Sequence, residues 1–216
     1  MVNKMTQPQP KLAVSQNAVV KMRNGILMLQ CRNVSPHGHY VTDLSVKMVS
    51  FINTTSLEGD DYMEIKELRS ECVHRGGVMP TNMNHFITKD SPLYGVDFKN
   101  FNGWIEVIVS GFDEFLGTRV SECMLYGTQN IKVGCELRNC IITTMQTVVK
   151  DPSKKVEVDL LKFHNVDPVS ENWRRVIEIA LHAAKTQRES RKQFCLEAGH
   201  EARYYTQASA GCDSLV

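Results

Sequence analysis

Between Ser15 and Val166 the chain never holds a helical period; short β-prone runs follow one another, each cut off by residues that turn a backbone. Ala18–Arg23 and Ile26–Arg32 flank Asn24-Gly25. Asn-Gly between two such runs is the strongest short hairpin signal, because both turn positions need positive φ. Tyr40–Phe51 alternates, with Tyr40, Thr42, Leu44, Val46 and Met48 on one side and Val41, Asp43, Ser45 and Lys47 on the other. That is the period of a half-buried strand. Further runs at Tyr62–Leu68, Val78–Ile87, Arg119–Tyr126, Ile131–Leu137, Ile141–Val149 and Val156–Leu161 are punctuated by Gly76-Gly77, Gly127, Gly134 and Asp151-Pro152. The turn residues Asp90, Ser91 and Pro92 lead toward a strand over Trp104–Val109, expected to end at Ser110-Gly111, where a short acidic loop begins that Gly117 closes. Many short strands and no helix from 15 to 166 require two sheets packed face to face, an all-β sandwich.

The pattern changes near residue 170. Ser170 suits an N-cap, Glu171 suits the positive end of a helix, and Trp173, Val176, Ile177, Ala180, Leu181 and Ala184 recur at three-and-four spacing. A helix is expected over 170–198, with Gly199 as its stop. Its apolar stripe either docks on a neighbour or packs on its own sandwich. At the other end, Pro8, Pro10 and two glutamines, Gln7 and Gln9, give residues 1–14 the composition of an extended tether. The expected organisation is a tether at 1–14, an immunoglobulin-like β-sandwich at 15–166, a C-terminal α-helix at 167–202 and a disordered tail at 203–216.

Charge and cysteine usage narrow the function classes. A net charge of +1 over 216 residues gives no global case for nucleic acid or for an acidic substrate. No acidic residue precedes Asp43, whereas Lys4, Lys11, Lys21, Arg23 and Arg32 are basic, a distribution suited to an anionic surface. Seven cysteines with no C-x-x-C spacing, and no signal-peptide pattern before them, read as a reduced, intracellular inventory. Cys31, Cys123 and Cys140 are expected in the core. No run is long enough to cross a bilayer, so a soluble chain is expected. There is no phosphate-binding glycine loop, zinc-protease motif or nucleophile elbow, so an enzyme is not expected. His37-x-His39 and Cys72-x-His74 lack a second pair at finger spacing, and no metal site is expected. His85 and His164 are expected to be hydrogen-bonded structural histidines.

Four strings, in order, resemble the cytoplasmic domain of inward-rectifier potassium channels, with the nearest likeness to the bacterial members. Ser15–Val20 (S-x-N-A-V-V), followed by Asn24-Gly25 and Leu27–Leu29, resembles the opening of that domain. Asp90–Gly95 (D-S-P-L-Y-G), after His85 and Ile87, resembles its central turn. Gly111, Glu114 and Gly117 match the spacing of the loop that narrows the pore in this family, and Val158-Asp159 with Phe163-His164 resembles its closing V-D-x-x-x-F-H. The likeness runs from about Gln7 to His164.

The resemblance implies a homotetramer that extends the ion path of a transmembrane pore portion into the cytoplasm, at the cytoplasmic face of a membrane. It implies that potassium ions transit and that Asp43, Asp113 and Glu114 line the path, attracting cations and the polyamines or magnesium that block it. The implied intracellular gate is Gly111, Phe112, Phe115, Leu116 and Gly117, with Phe112 and Phe115 able to form a dewetting constriction. No cofactor is implied. Where the family carries basic residues for phosphoinositide headgroups, this chain has Gln7 and Gln9, and Ser35 replaces an expected arginine. That weakens the case for phosphoinositide control and leaves Lys4, Lys11 and Arg32 as the residues for an anionic lipid contact. Phe115 replaces a usually small residue. The family's membrane helices and selectivity filter are not in the sequence, so this chain by itself is not expected to conduct. An alternative from another class is a soluble β-sandwich binding or scaffold module that kept the fold without a pore.

Overall fold

The computed structural model describes residues 12–36, 40–56, 58–72, 79–142 and 158–210. Among these, the elements run β1 (Ala13–Val14), β2 (Ala18–Arg23), β3 (Ile26–Val34), β4 (Val41–Thr55), β5 (Asp61–Leu68), β6 (Glu71–Cys72), β7 (Thr81–Phe86), a 3-10 turn (Phe98–Asn100), β8 (Gly103–Asp113), β9 (Thr118–Tyr126), β10 (Ile131–Val133), β11 (Cys135–Leu137), α1 (Leu160–Phe163), β12 (Val166–Pro168) and α2 (Glu171–Ala210). One sheet has the order β10-β2-β3-β7-β6, with β1 added to β3; the other has the order β5-β4-β8-β9. A two-stranded ribbon joins β11 to β12. This is an all-β sandwich with a C-terminal helix.

Alternation writes the core. Along β8, Ile105, Val107 and Val109 are buried, while Trp104, Glu106 and Ile108 face outward. They meet Met48 and Ile52 of β4, Leu29 and Cys31 of β3, and Met83 of β7 in one apolar cluster. Each large side chain so buried contributes about 1.5–3 kcal/mol. The β2–β3 turn is built as expected, with Asn24 at φ 51° and Gly25 at φ 79°. The second sheet is antiparallel throughout, whereas β10 pairs with β2 in parallel, through Ile131↔Ala18 and Lys132↔Val19.

Several boundaries differ from the sequence expectation, for identifiable reasons. The strand expected to stop at Val109 continues through Ser110 and Gly111 to Asp113, because β4 and β9 both supply ladder partners there. Ile131–Leu137 is two strands in different sheets, divided by Gly134 at φ 69°. Leu160–Phe163, placed partly in a strand by the sequence, is a helical turn capped by Asp159, whose carboxylate accepts the Leu161 and Lys162 amides. Most of the run expected at Ile141–Val149, and residues 156 and 157 of the run expected at Val156–Leu161, lie outside the described residues, although Ile141 bridges to Val158. Residues 1–11 of the tether also lie outside them; Leu12 is buried and Ala13–Val14 pairs with β3, so the tether's last residues belong to the sandwich.

The C-terminal helix packs on its own sandwich through one side. Ile177 and Ala184 are buried against it, while Trp173, Val176 and Ile179 remain exposed. Docking is completed by the D-S-P-L-Y-G turn. The Tyr94 hydroxyl donates to Gln187 at 2.6 Å, Arg188 donates to the Tyr94 carbonyl at 3.2 Å, and Lys185 pairs with Asp97 at 3.3 Å. Gly95, at φ 70°, sits where any Cβ would lie 2.7 Å from the Ala184 carbonyl oxygen. The helix runs on through Gly199, its expected stop, and Tyr205 to Ala210, twelve residues beyond 198 and eight beyond the domain boundary expected at 202. A lone glycine lowers helix propensity by about 1 kcal/mol and does not by itself end a long helix.

Candidate functional site: the bulge and the hairpin end

The acidic residue Asp43 and the glycine-bounded loop, far apart in sequence, are brought together at one end of the second sheet. Strand β4 pairs Val41 with Asp113 and Thr42 with Phe112, then resumes with Ser45 opposite Ser110. One extra residue is therefore accommodated between Thr42 and Ser45, a β-bulge, and Asp43 takes a left-handed conformation within it at φ 50°. The bulge inverts parity. Val41 and Leu44 both point into the core, so Val41 is buried and Tyr40 is exposed, the reverse of their places in the unbroken alternation. The Asp43 side chain stays in solvent.

Gly111 is the residue that makes room. It is buried, and a Cβ there would lie 2.6 Å from Val41 Cγ1 and 2.9 Å from the Thr42 carbonyl oxygen. Beyond it, the β8–β9 hairpin turns over Glu114–Gly117, with Gly117 at φ 62°. Asp113 organises this turn: its Oδ1 accepts the Phe115 and Leu116 amides, both at 3.0 Å, and the residue is fully buried. The Glu114 amide reaches the Tyr40 carbonyl at 3.2 Å, fastening the turn to the start of β4. The tip presents apolar surface to solvent, with Phe115 78% exposed, Leu116 42% and Phe112 37%. Of the three acids singled out in the sequence, Asp43 and Glu114 are exposed, and Asp113 is a turn-forming carboxylate inside the hairpin.

A second centre gathers the opening and closing motifs. Arg32 was expected as a lipid-facing cation; it is instead buried, and this is a correction. Its guanidinium donates to the carbonyls of Phe163 (3.0 and 2.6 Å), Lys162 (3.0 Å) and Arg138 (2.6 Å), and it lies 5.0 Å from the centre of the Phe163 ring. Its donors are used on the protein's own backbone, so it has no free face for a headgroup. Around it, Asn17 donates to the His164 carbonyl at 2.9 Å, the Gln16 amide donates to His164 Nδ1 at 3.2 Å, and the Tyr126 hydroxyl donates to the Ser15 carbonyl at 2.6 Å. Burial raises the Tyr126 pKa well above the ordinary phenol value, so the group is a fixed neutral donor. The sequence did not identify this centre: an arginine in an alternating strand carries no sign that its partners lie more than 100 residues away.

The remaining candidates fall as follows. His85 is buried and structural, with Nδ1 2.8 Å from the Arg69 carbonyl and Nε2 2.7 Å from Ser91 Oγ; burial lowers its pKa below the usual histidine value. Cys31 and Cys140 are buried as expected, while Cys123 is exposed on the outer face of β9, with its thiol 3.4 Å from Glu106. Lys4, Lys11, His37, His39 and His74 lie outside the described residues, as does the side chain of Cys72. Among the described residues no group of His, Cys, Asp and Glu is placed to hold a metal ion, and no helix is long and apolar enough to cross a membrane.

Comparison with known proteins supplies the family. No curated protein sequence matches the chain. The profile of the inward rectifier potassium channel C-terminal domain matches residues 12–183, from the strand that opens the sandwich to the helix that covers it. That family is a cytoplasmic channel domain associated with a transmembrane pore region, and it is not a family of enzymes. With the fold, the four motifs and this match in agreement, the chain belongs to the inward rectifier potassium channel C-terminal domain family.

Proposed function

We propose that this domain assembles as a four-fold ring that extends the path of potassium ions on the cytoplasmic side of a channel, with the bulge and the hairpin end facing the axis. The observation that carries the reading is the pairing of Val41 and Thr42 with Asp113 and Phe112, which sets two exposed carboxylates, Asp43 and Glu114, beside three exposed apolar side chains. In a cyclic tetramer each carboxylate becomes a ring of four, concentrating cations and drawing in polyamines or magnesium. Phe112, Phe115 and Leu116 repeated four times make an apolar collar able to close by dewetting. Asp113 acts from inside the hairpin, shaping the turn that carries the collar. No cofactor enters this reading. An anionic membrane contact rests on Lys4 and Lys11, since Arg32 is spent within the fold.

The test has two arms. Light scattering at high protein concentration should give the mass of four chains; a monomer only would favour a scaffold module without a pore. In a channel carrying this domain, Asp43→Asn should weaken block by magnesium or polyamines at a fixed voltage. Unchanged rectification would remove Asp43 from the ion path.

A further inference from the structure

The segment Ser15–Asn17, between β1 and β2, is fastened to His164 near the end of the sandwich by bonds of two kinds. The bond from the Asn17 amide side chain to the His164 carbonyl is indifferent to pH. The bond from the Gln16 backbone N–H to His164 Nδ1 is not. A ring nitrogen accepts a hydrogen bond only while it carries no proton, so this contact requires the neutral tautomer protonated at Nε2. We propose that His164 is an acid-sensitive latch: protonation of Nδ1 sets two donors face to face and frees the Gln16 amide, between the still-anchored Ser15 and Asn17.

The surroundings set the direction. Desolvation by burial comes first and the Arg32 guanidinium on β3 second, and both disfavour a positive imidazole, holding its pKa below the ordinary 6.5. On the histidine's own turn, Asp159 and Lys162 are paired with each other at 3.0 Å. The Ser15–Asn17 segment contributes a hydroxyl and amides, the turn before β10 contributes the Asn130 amide, and β9 contributes the neutral Tyr126 phenol. The Phe163 ring stands edge-on to the imidazole at 5.0 Å. Because the folded-state pKa is lowered, the stabilisation is complete above the ordinary histidine range and is given up as pH falls through it. At pH 7 the latch is closed. The release is local, because the Tyr126–Ser15 and Asn17–His164 bonds and the β1–β3 pairing contain no group that titrates near neutral pH.

The experiment is amide hydrogen exchange and NMR titration of the intact chain between pH 7.5 and 4.5. The His164 ring resonance and the Gln16 amide shift should share one midpoint below that of an unperturbed histidine. Protection of the Gln16 amide should hold steady above the ordinary histidine range, fall by up to about tenfold per pH unit from there down to that midpoint, and level off below it. His164→Asn supplies a side-chain carbonyl oxygen near the place of Nδ1, an acceptor that cannot titrate, and should make Gln16 protection independent of pH over this range. A Gln16 amide that ignores the His164 titration, or an equal acid loss in His164→Asn, overturns the latch. Should the asparagine variant fail to fold, the wild-type midpoints decide alone: coincident midpoints support the latch and separated ones refute it. His85, held by Arg69 and Ser91, is an internal control whose titration should leave Gln16 unmoved.

Discussion

Single side chains decide whether the bulge and the hairpin end can meet. Gly111 is needed for its missing Cβ, since the obstruction would come from Val41 and from the Thr42 backbone, neither of which can swing away. Gly111→Ala should destabilise the domain by about 1–3 kcal/mol, the usual cost of overpacking. A lowered denaturation midpoint at unchanged m-value would show it; an unaltered midpoint would mean that β4 shifts freely. At this scale the sequence is legible where a residue has one use and obscure where it has two. Asn24-Gly25 makes the expected turn because its conformational demand is local. Asp43 was readable as an acid on a strand, but the alternation around it concealed the bulge, because one surplus residue inverts every side chain that precedes it. Arg32 was readable as a charge; its burial depends on carbonyls at residues 138, 162 and 163, which no local pattern reveals.

At the scale of elements, strands were legible through period two, while their ends were set by partners. Strand β8 outruns its apolar run because β9 and the first residues of β4 continue the ladder to Asp113. The helix shows the same division. Its stripe predicted an apolar face, and the sandwich buries only the part of it around Ile177 and Ala184. The contact that seats it depends on Gly95, whose positive φ and closeness to Ala184 and Arg188 both exclude a side chain. Gly95→Ala should lift this part of the helix and reduce amide protection over 177–188 while leaving β8 and β9 protected. Equal protection in both regions would show that the helix is held from elsewhere. Left-handed strain and a displaced helix together should cost about 1–3 kcal/mol.

For the whole molecule, family membership was legible because the four motifs are the chain's contact points. The opening motif meets the closing one at Asn17 and His164, and the central D-S-P-L-Y-G turn braces both His85 and α2. The proposed ring was not written in any single chain, since a symmetry axis belongs to the assembly. Its most exposed element gives the test at this scale. In a channel carrying this domain, Phe115→Ala should widen the collar and raise open probability, whereas unaltered gating would assign Phe115 to packing alone. The bond between Asn17 and His164 also spans 147 residues, and β2 finds its parallel partner only at Ile131. A nascent chain on the ribosome therefore waits, at 5–20 residues per second, roughly 7–30 s between synthesising its first strand and receiving the residues that secure it. Until then β2 and the Ser15–Asn17 segment lack the partners that fasten them in the finished domain.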